Sequence, residues 1–503
     1  MDKLEAIESR IKLFREQKEK FTSHPLQTEM PNPDTYNLSD LAKSDLVSGI
    51  KMLQKADVTA IHKMVDYIPQ LKALRMEIKK TINSGHKIYI CGCGASGRLA
   101  VSLEFLWRSI VPEEQKNSLI GFLAGGDNAL IKSLEGFEDH KSFGIKQLYQ
   151  AGFEDGDLLL SATASGESPF VIAAAEEAAN TSVKPWFVHC NTSDALKGRI
   201  KDHVIYNDKV NILSLFVGPM ALTGSTRMQA TTALMLGIAL PLFYDNIEEQ
   251  LNYLENRVEN LDLSELAGLI KLESNIYKNK EYVLYDTDPI FGITVLTDTT
   301  ERAPTFNLAP FENQLNEITN PSLCYLLFKN TDSVNKAWEL LLNREPRSLE
   351  WDEDTSIKQL YGFDFSKKII DYRKKYATPS HFYSIKKNGD AVSLELDDKK
   401  VEFNFSDLNP ILEQTCLKMI LNICSTLIMG RLGHYEGNLM TSLYPSNSKL
   451  IDRAIRYIDF LVRMKTDKKI PYNELAEYMF EELRQLKPNE SIVLNTVKKI
   501  INL

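Results

Sequence analysis

Short apolar runs alternate with helical segments between residues 87 and 242, and this alternation limits the folds open to the chain. Five runs have the length and composition of buried strands: Ile88–Cys91, Ser118–Ala124, Leu158–Ser161, Pro185–His189 and His203–Tyr206. Strands that alternate with helices pair in parallel, because a parallel pair needs a long crossover that a helix supplies. The pattern predicts a doubly wound parallel sheet with helices on both faces.

The first run leads into a glycine-rich turn. Residues 88–98 read IYICGCGASGR, and a helical segment, Leu99–Trp107, follows. Glycines let the backbone approach a ligand, and a helix start offers free N–H groups to an anion. The turn fits a phosphate cradle that includes the Ser96 hydroxyl, although a tight strand-to-helix connection would use the same glycines. It is neither a Walker loop nor a full dinucleotide fingerprint, since the Lys-Ser/Thr pair and the acidic ribose partner are both missing.

Two later turns carry hydroxyl side chains at the same strand-to-helix position. Their members are Thr163, Ser165 and Ser168 in one turn, and Ser225 and Thr226 in the other. Hydroxyl groups can donate to phosphate oxygens without adding charge. The alternative is an ordinary capped helix start, which Ser168 alone would provide in the first of these turns.

The three turns together resemble the SIS (sugar isomerase) family, in the branch that holds N-acetylmuramic acid 6-phosphate etherases and the glucokinase regulatory protein. That branch reads G-x-G-T-S-G-R, A-S-G-x-(S/T)-P and G-S-(S/T)-R-(L/M)-K at these turns. Other sequence motifs of that branch are also present in this chain: Thr28-Glu29 with Asn32-Pro33, Ala124–Asp127, Glu135–Asp139, Tyr435–Met440 and Ser446–Leu450. The resemblance extends over most of the chain.

The resemblance implies a sugar-phosphate site and identifies its residues. Those that would hold the substrate are Gly94, Ala95, Ser96, Thr163, Ala164, Ser165, Glu167, Ser168, Ser225, Thr226, Glu301 and Lys449. The family has a threonine where this chain has Ala95, so one hydroxyl is absent. Glu167 stands in the hydroxyl loop, where a carboxylate beside a phosphate costs energy unless it points to the sugar or to a helix N-terminus.

The resemblance also implies two catalytic positions. In the etherases one glutamate removes the proton next to the sugar carbonyl, and another protonates the departing lactyl oxygen. Glu138 matches the first and is the candidate base. The second falls eight residues after Arg98, at Leu106, which cannot transfer a proton. Glu104 lies about 200° away around the helix axis and is predicted to face elsewhere. Loss of the acid would slow ether cleavage by about 10²–10⁴-fold without preventing sugar-phosphate binding.

Three of these residues have plain structural alternatives. Glu301 could be an exposed acid in the first turn of a helix. Lys449 could be a surface residue of a C-terminal helix. Glu138 could form an ion pair that only stabilises the fold.

The second half of the chain resembles a divergent repeat of the first. Its strand candidates Glu281–Asp286 and Ser322–Phe328 end in charged and polar residues, without a Gly-Ser turn. We therefore expect no phosphate binding by these turns. Residues Ala391–Phe405 alternate between apolar and polar types, which predicts a hairpin around Asp397-Asp398.

The predicted fold class is α/β, with two SIS-type doubly wound modules of three αβα layers. An N-terminal helix and extended arm (1–45) precede a first SIS domain with the ligand site (46–262). A degenerate second SIS domain (263–430) and a C-terminal helical segment (431–503) follow. Since the etherases pair two single modules as a dimer, duplication within one chain favours a monomer with an internal pseudo-dimer.

Composition limits partners and compartment. The net charge of −9 on 503 residues argues against a nucleic-acid partner. No run of about 18 apolar residues is present and the chain starts with charged residues, so we expect no membrane span or signal peptide. The six cysteines are dispersed, and Cys91 and Cys93 lack metal-site partners. We expect a cytoplasmic protein without cofactor or metal.

Three functional classes stay open at this level. The first is a sugar-phosphate sensor that acts on a regulated protein such as a sugar kinase. The second is an enzyme, either an N-acetylmuramic acid 6-phosphate etherase or a sugar-phosphate isomerase or deaminase. Glu138 and the hydroxyl residues favour this class. The third is a scaffold with a vestigial site, against which the retained Ser and Gly residues argue. The missing acid favours the sensor.

Overall fold

The computed structural model describes residues 3–17, 26–132, 134, 136–197, 199, 203–445, 447–487 and 490–502. Glu135 and Ser446 of the sequence motifs lie outside the described residues, as do both ends of the first predicted helix and the start of the arm.

Helices precede the first sheet, as the apolar spacing over residues 38–83 predicts. They are α1 (Lys3–Gln17), α2 (Leu38–Ser44), α3 (Leu46–Lys63) and α4 (Ile68–Asn83). The described part of the arm contains two short 3-10 turns, Gln27–Glu29 and Pro33–Thr35. The arm is therefore less extended than its prolines suggest.

The first sheet has five parallel strands in the order β2-β1-β3-β4-β5. They are β1 (Ile88–Gly92), β2 (Leu119–Leu123), β3 (Leu158–Thr163), β4 (Trp186–His189) and β5 (Asn211–Ser214). Its helices are α5 (Gly94–Ile110), α6 (Lys141–Gln150), α7 (Pro169–Ala178), α8 (Ser193–Leu196) and α9 (Gln229–Phe243). The predicted parallel sheet is confirmed, and its first two hydroxyl turns follow the neighbouring strands β1 and β3.

The fifth predicted strand is wrong. Residues 204–206 form a 3-10 turn, and the strand that pairs with β4 is β5, five residues later. The His203 ring bonds to the carbonyl of Gly166 at 2.7 Å and accepts from the Ile205 N–H at 3.1 Å. These bonds fix the segment over the second hydroxyl turn. Residues 203–206 and 211–214 both look like short apolar strands in the sequence. The tertiary contacts of His203 show which of the two is not a strand.

The second sheet has the order β10-β9-β8-β6-β7. Its strands are β6 (Tyr282–Thr287), β7 (Cys324–Leu327), β8 (Ser380–Asn388), β9 (Ala391–Leu396) and β10 (Lys399–Asn404). Strands β6, β7 and β8 are parallel, and β9 and β10 form the predicted antiparallel hairpin at the edge. Sequence analysis missed β8, whose mixed residues SHFYSIKKN lack a clear apolar period. The α/β fold class is confirmed.

The remaining helices surround this sheet and complete the C-terminal segment. They are α10 (Ile247–Glu259), α11 (Leu266–Lys278), α12 (Pro289–Phe306), α13 (Val334–Leu342), α14 (Ile357–Tyr361), α15 (Lys368–Arg373), α16 (Pro410–Arg431), α17 (Ser448–Thr466), α18 (Tyr472–Gln485) and α19 (Ile492–Asn502). Helix α16 is long and apolar enough to cross a membrane by length and composition, and 94% of its apolar stretch is buried inside the protein. That burial is typical of a core helix.

The two modules meet through several helices, which include α5 and α9 from the first and α12 and α16 from the second. Helices α5 and α12 run antiparallel. Arg98 near the start of α5 pairs with Glu301 near the end of α12, while Phe105 and Ile290 at the opposite ends line one surface depression. The helices that follow β1 and β6, α5 and α12, thus face each other.

Gly97→Ala should destabilise the first module by about 1–3 kcal/mol, because overpacking has that cost. A Cβ at this position of α5 would lie 2.4 Å from the Cβ of Leu123 on β2. The control is Gly268→Ala in α11, where the nearest atom would lie at 3.9 Å. There we expect a gain of up to about 1 kcal/mol from helix propensity. Urea unfolding curves measure both, and equal shifts would contradict the prediction.

Candidate sugar-phosphate site

The first turn brings a hydroxyl to the start of α5. Strand β1 ends at Gly92, Cys93 has extended backbone, and α5 begins at Gly94 with φ of +51°, a conformation that favours glycine. Ser96 lies in the first helical turn and is 5% exposed. Within the described residues its hydroxyl has no hydrogen-bond partner. It can therefore donate to a ligand beside the N–H groups of the helix start.

The second turn lies beside the first, because β3 pairs directly with β1. Thr163 Oγ1 accepts from the Gly166 N–H at 3.3 Å, and Ser165 Oγ accepts from the Glu167 N–H at 3.2 Å. Each hydroxyl thus keeps its own hydrogen for another acceptor. Ser168 stands at the N-cap of α7 but makes no capping hydrogen bond. The simple capping alternative therefore does not account for it.

A thiol joins the two turns. The Cys93 sulfur lies 3.1 Å from Ser168 Oγ, and either group could donate. Burial is the main cause that raises the pKa of the Cys93 thiol well above its usual value, and Glu138 raises it further. The thiol is therefore a neutral hydrogen-bonding group that fixes Ser168.

The third turn is closed by the C-terminal segment of the chain. The Thr223 N–H donates to the Asn438 carbonyl at 2.8 Å, and the Tyr457 hydroxyl donates to the Thr223 carbonyl at 2.7 Å. Ser225 Oγ is buried and has no partner within the described residues, while Thr226 is half-buried. Ser225 is 3% exposed, as is Ser168, so it is as buried as a hydroxyl residue of the second turn.

Glu138 sits on the loop that packs against the second turn, and its carbonyl accepts from the Phe170 N–H at 3.1 Å. Its side chain reaches solvent from inside a cleft. The pKa of Glu138 is raised, mainly because the surrounding protein removes water from the carboxylate. Nearby Lys449 lowers the pKa, and Asp139 and Glu301 raise it further. Residues from the first module, the second module and α17 therefore act on this carboxyl group.

Glu301 belongs to the last turns of α12 and is 9% exposed. The guanidinium of Arg98, itself 1% exposed, pairs with it and also donates to the Leu130 carbonyl at 2.7 Å. Glu301 is thus not an exposed acid at a helix start. It reaches across the module interface to the helix that begins at the first turn.

Glu167 forms an ion pair with Arg199, with Oε1 and Nε 2.5 Å apart. This pairing neutralises the carboxylate that would otherwise repel a phosphate in the same loop. Glu167 and Arg199 line a small cavity together with Lys449 and Arg453. No motif in the sequence pointed to Arg199, which lies 32 residues from Glu167 in the chain.

Lys449 is the second residue of α17 and is half-buried. A cation is unfavourable at a helix N-terminus, so its position suits contact with a carboxylate or an anionic ligand. Burial by itself would raise the pKa of Glu29, but Arg453 and Lys449 hold this pKa below its usual value. The arm, α17 and the second hydroxyl turn therefore converge on one charged cleft.

Glu104 and Leu106 behave as the helical geometry predicts. Glu104 is fully buried and accepts from Arg344 at 3.0 Å and from Arg347 at 2.5 Å. It cannot replace a proton donor in the site. Leu106 faces an inner cavity between the modules, which Ala95 and Glu301 also line.

The structure thus brings most predicted residues together at one edge of the first sheet. Ala164 is buried there and its carbonyl accepts from the Asn191 side chain at 3.3 Å, so it shapes the loop through its backbone. Among the described residues no group of three or more His, Cys, Asp or Glu side chains could hold a metal ion, and all six cysteines are free.

His189 at the end of β4 should make stability fall in acid. It is fully buried, neither ring nitrogen has a partner within the described residues, and burial, helped by His203, lowers its pKa to about 3. Below the unfolded pKa of about 6.5 only the unfolded chain takes the proton, so stability is lost progressively from pH 6.5 down to about 3. At pH 5 the loss should be about 2 kcal/mol.

The variant His189→Phe should remove that part of the pH dependence. Thermal unfolding between pH 7.5 and 5 measures it, with His62→Gln as the control, since His62 is an exposed partner of Glu255. Surface pairs contribute little. A parallel pH profile for wild type and His189→Phe would disprove the assignment.

Known proteins match the stretch that contains the first two turns. A sequence model described as the glucokinase regulatory protein N-terminal SIS domain matches residues 71–178. N-acetylmuramic acid 6-phosphate etherase 1 of Bacillus licheniformis is 32% identical over 195 residues, 38% of this chain and 60% of that protein. The N-acetylmuramic acid 6-phosphate etherase of Clostridium botulinum is 34% identical over 213 residues, 41% of this chain and 65% of that protein.

The chain belongs to the SIS family. It lies in the branch of the N-acetylmuramic acid 6-phosphate etherases and the glucokinase regulatory protein, as the motifs predict. This SIS chain spans less than two thirds of the length of both of these relatives. Tagatose-6-phosphate ketose/aldose isomerase from Escherichia coli aligns with a TM-score of 0.40 and 11% identity, over 78% of this chain and 95% of that protein.

Proposed function

We propose that this chain binds a sugar phosphate at the edge of the first sheet and acts as a sensor or regulator of hexose or amino-sugar phosphate metabolism. One observation carries the proposal. The starts of α5 and α7 lie side by side at adjacent parallel strand ends, with the hydroxyl hydrogens of Ser96, Thr163 and Ser165 uncommitted. This arrangement offers neutral donors and two helix N-termini to one dianion.

The charges around the turns suit the rest of such a ligand. Lys449 supplies a compact positive charge toward the phosphate. Glu138 and Glu301 can accept from sugar hydroxyls on the opposite side. Because Glu167 is already paired with Arg199, it does not oppose the phosphate.

The second candidate function is catalysis, as an N-acetylmuramic acid 6-phosphate etherase or a sugar-phosphate isomerase. The observation that favours it is Glu138, whose raised pKa makes the carboxylate a better proton acceptor, as a general base requires. Leu106 cannot donate a proton, and Glu104 is already paired with two arginines. The etherase reaction therefore lacks its general acid. We therefore propose binding as the main activity.

Calorimetric titration with fructose 6-phosphate, fructose 1-phosphate, glucosamine 6-phosphate and N-acetylmuramic acid 6-phosphate tests the proposal. We expect saturable heat with at least one of them, and none with the matching unphosphorylated sugar. The absence of binding heat with all four compounds would overturn the sugar-phosphate site. Release of lactate from the muramyl compound, lost in Glu138→Gln, would instead establish the enzyme.

A sensor must act on another protein. We propose that this partner is a sugar kinase and that both proteins are located in the cytoplasm. We also propose a monomer, and the contact between α5 and α12 within one chain supports it. Sedimentation should give a single species of 57.2 kDa. Kinase activity that is unchanged by this protein, with and without the bound sugar phosphate, would remove the kinase as partner.

A further inference from the structure

A segment of the second module packs on the loop of the first module that carries Glu138. This segment, residues 344–356, connects α13 to α14, and we call it the clamp segment. The loop, residues 124–140, connects β2 to α6. Glu138 therefore lies on a loop that both modules contact.

Hydrogen bonds join the first part of the loop to the clamp segment. The Asp127 N–H donates to the Arg347 carbonyl at 3.2 Å, and the Asp127 carboxylate accepts from the Arg347 N–H at 2.6 Å. The same carboxylate pairs with Arg344 at 2.6 Å. The Asn128 side chain donates to the Ser356 carbonyl at 2.9 Å. Because Asp127 is only 2% exposed, these bonds are shielded from water and fix the clamp segment in place.

Trp351 of the clamp segment makes the contact nearest to Glu138. Its ring stacks on Phe137, with the ring centroids 5.7 Å apart and an interplanar angle of 18°. It also meets Phe143 edge to face at 5.3 Å, and the Lys146 ammonium group lies 3.8 Å from its centroid. Phe137 is the residue directly before Glu138 and is 7% exposed. Trp351 therefore restrains the backbone from which the Glu138 side chain extends.

Trp351 is itself held by two hydrogen bonds. Its Nε1 donates to Gln150 Oε1 at 2.6 Å, and its backbone N–H donates to Thr355 Oγ1 at 3.0 Å. Gln150 in turn donates to the Leu349 carbonyl at 3.0 Å. The indole ring is thus fixed by α6 of the first module and by the clamp segment.

The Glu138 carboxylate has no such support of its own. Among the described residues it forms neither a hydrogen bond nor an ion pair, and only its carbonyl is bonded, to the Phe170 N–H. The direction of the carboxylate therefore depends on the backbone of the loop. A group that is held in its binding position before the ligand arrives costs less to order on binding, which raises affinity.

We propose that Trp351 is a positioning residue for Glu138: by stacking on Phe137 it holds the loop so that the carboxylate faces the sugar of the bound sugar phosphate. The inference rests on the proposed function, in which Glu138 accepts from sugar hydroxyls. Trp351 acts through Phe137 and does not touch the ligand. The second module, whose own strand ends lack a Gly-Ser turn, contributes to sugar recognition in this way.

Two ligands separate positioning of Glu138 from a general structural role. They are inorganic phosphate and the sugar phosphate that binds wild type most tightly. Trp351→Ala should weaken sugar-phosphate binding about tenfold, the value of a hydrogen bond to a charged group. It should change binding of inorganic phosphate less than about twofold, because phosphate alone reaches only the hydroxyl turns. Calorimetric titration measures both, after circular dichroism has shown that the variant is folded.

Unchanged sugar-phosphate affinity in Trp351→Ala would overturn the positioning role and leave the proposed function standing. Equal losses for both ligands would indicate general damage to the site and would also contradict the proposal. If no sugar phosphate binds to wild type, the proposed function fails as well.

A double-mutant cycle tests whether Trp351 acts through Glu138. In a Glu138→Ala background, Trp351→Ala should change sugar-phosphate affinity less than about twofold, because the group that it positions is absent. A second tenfold loss in that background would mean that the two residues act independently, against the proposal.

A conservative variant and a matched control complete the test. Trp351→Phe keeps an aromatic ring on Phe137 and should bind the sugar phosphate within about threefold of wild type. If it binds as weakly as Trp351→Ala, stacking is not the means of positioning. The control is Tyr149→Ala, which removes a 52% exposed aromatic side chain of α6 next to Gln150 and should leave both affinities unchanged. A tenfold loss of sugar-phosphate affinity in this control would show that the effect is not specific to Trp351.

Discussion

Ser96→Ala should weaken sugar-phosphate binding about 10- to 150-fold. A hydrogen bond to a charged group contributes about 1.5–3 kcal/mol, and the Ser96 hydroxyl has no competing partner within the described residues to compensate. Ser96→Asp should have a larger effect, more than a hundredfold, because a carboxylate would stand beside the phosphate dianion in a partly desolvated turn. Calorimetric titration with the sugar phosphate that binds wild type most tightly gives both values.

The control for these variants lies on the same helix. Ser109→Asp introduces the same charge in the exposed last turn of α5, where it should change binding less than twofold. Circular dichroism establishes that each variant is folded before titration. Wild-type affinity in Ser96→Asp would remove the first turn from the phosphate site, whatever the role of the second turn.

Arg302→Met should destabilise the second module by about 3–5 kcal/mol. Arg302 is 2% exposed and donates to Asp298 at 2.9 Å, to Glu273 at 2.8 Å and to Tyr285 at 2.8 Å. Removing the guanidinium leaves buried carboxylates without this cation, and an uncompensated buried charge has a cost of that size. Urea unfolding followed by fluorescence and circular dichroism measures the shift of the midpoint.

A surface ion pair supplies the contrast. Arg463 pairs with Asp459 one helical turn away and is half exposed, so Arg463→Met should change stability by less than about 0.5 kcal/mol. Arg302→Met combined with Glu273→Gln should recover part of the loss, because the second change removes one of the stranded charges. If Arg302→Met unfolds at the wild-type midpoint, the buried network does not stabilise the module.

The elements that sequence analysis identified are those whose signal is local. Strands β1 to β4 are short apolar runs bounded by turn residues, and the hairpin β9–β10 alternates cleanly. Strand β8 was missed because its partners, not its own residues, make it a strand. The displaced β5 shows the same limit, since the bond between the His203 ring and the Gly166 carbonyl joins residues that are far apart in the chain.

The candidate site divides in the same way. The resemblance placed Leu106 at the site, and helical geometry then placed Glu104 away from it, because angle around a helix depends only on residue spacing. Sequence analysis also identified the hydroxyl turns, yet it could not foresee that Arg199 neutralises Glu167 or that Arg98 holds Glu301. Ion pairs between side chains far apart in sequence leave no pattern along the chain.

By itself, the sequence determined the alternating α/β fold, the hydroxyl turns at Ser96 and Thr163–Ser168, and the absence of an acid at position 106. These depend on backbone period, turn chemistry and residue identity, which are local properties. Only the tertiary structure decided that the Ser225 hydroxyl is buried without a partner among the described residues, that the arm and α17 bring Glu29 and Lys449 to the cleft, and that a cavity lies within the interface between the modules. Burial and cavities arise from how distant surfaces pack, and packing depends on every neighbour at once.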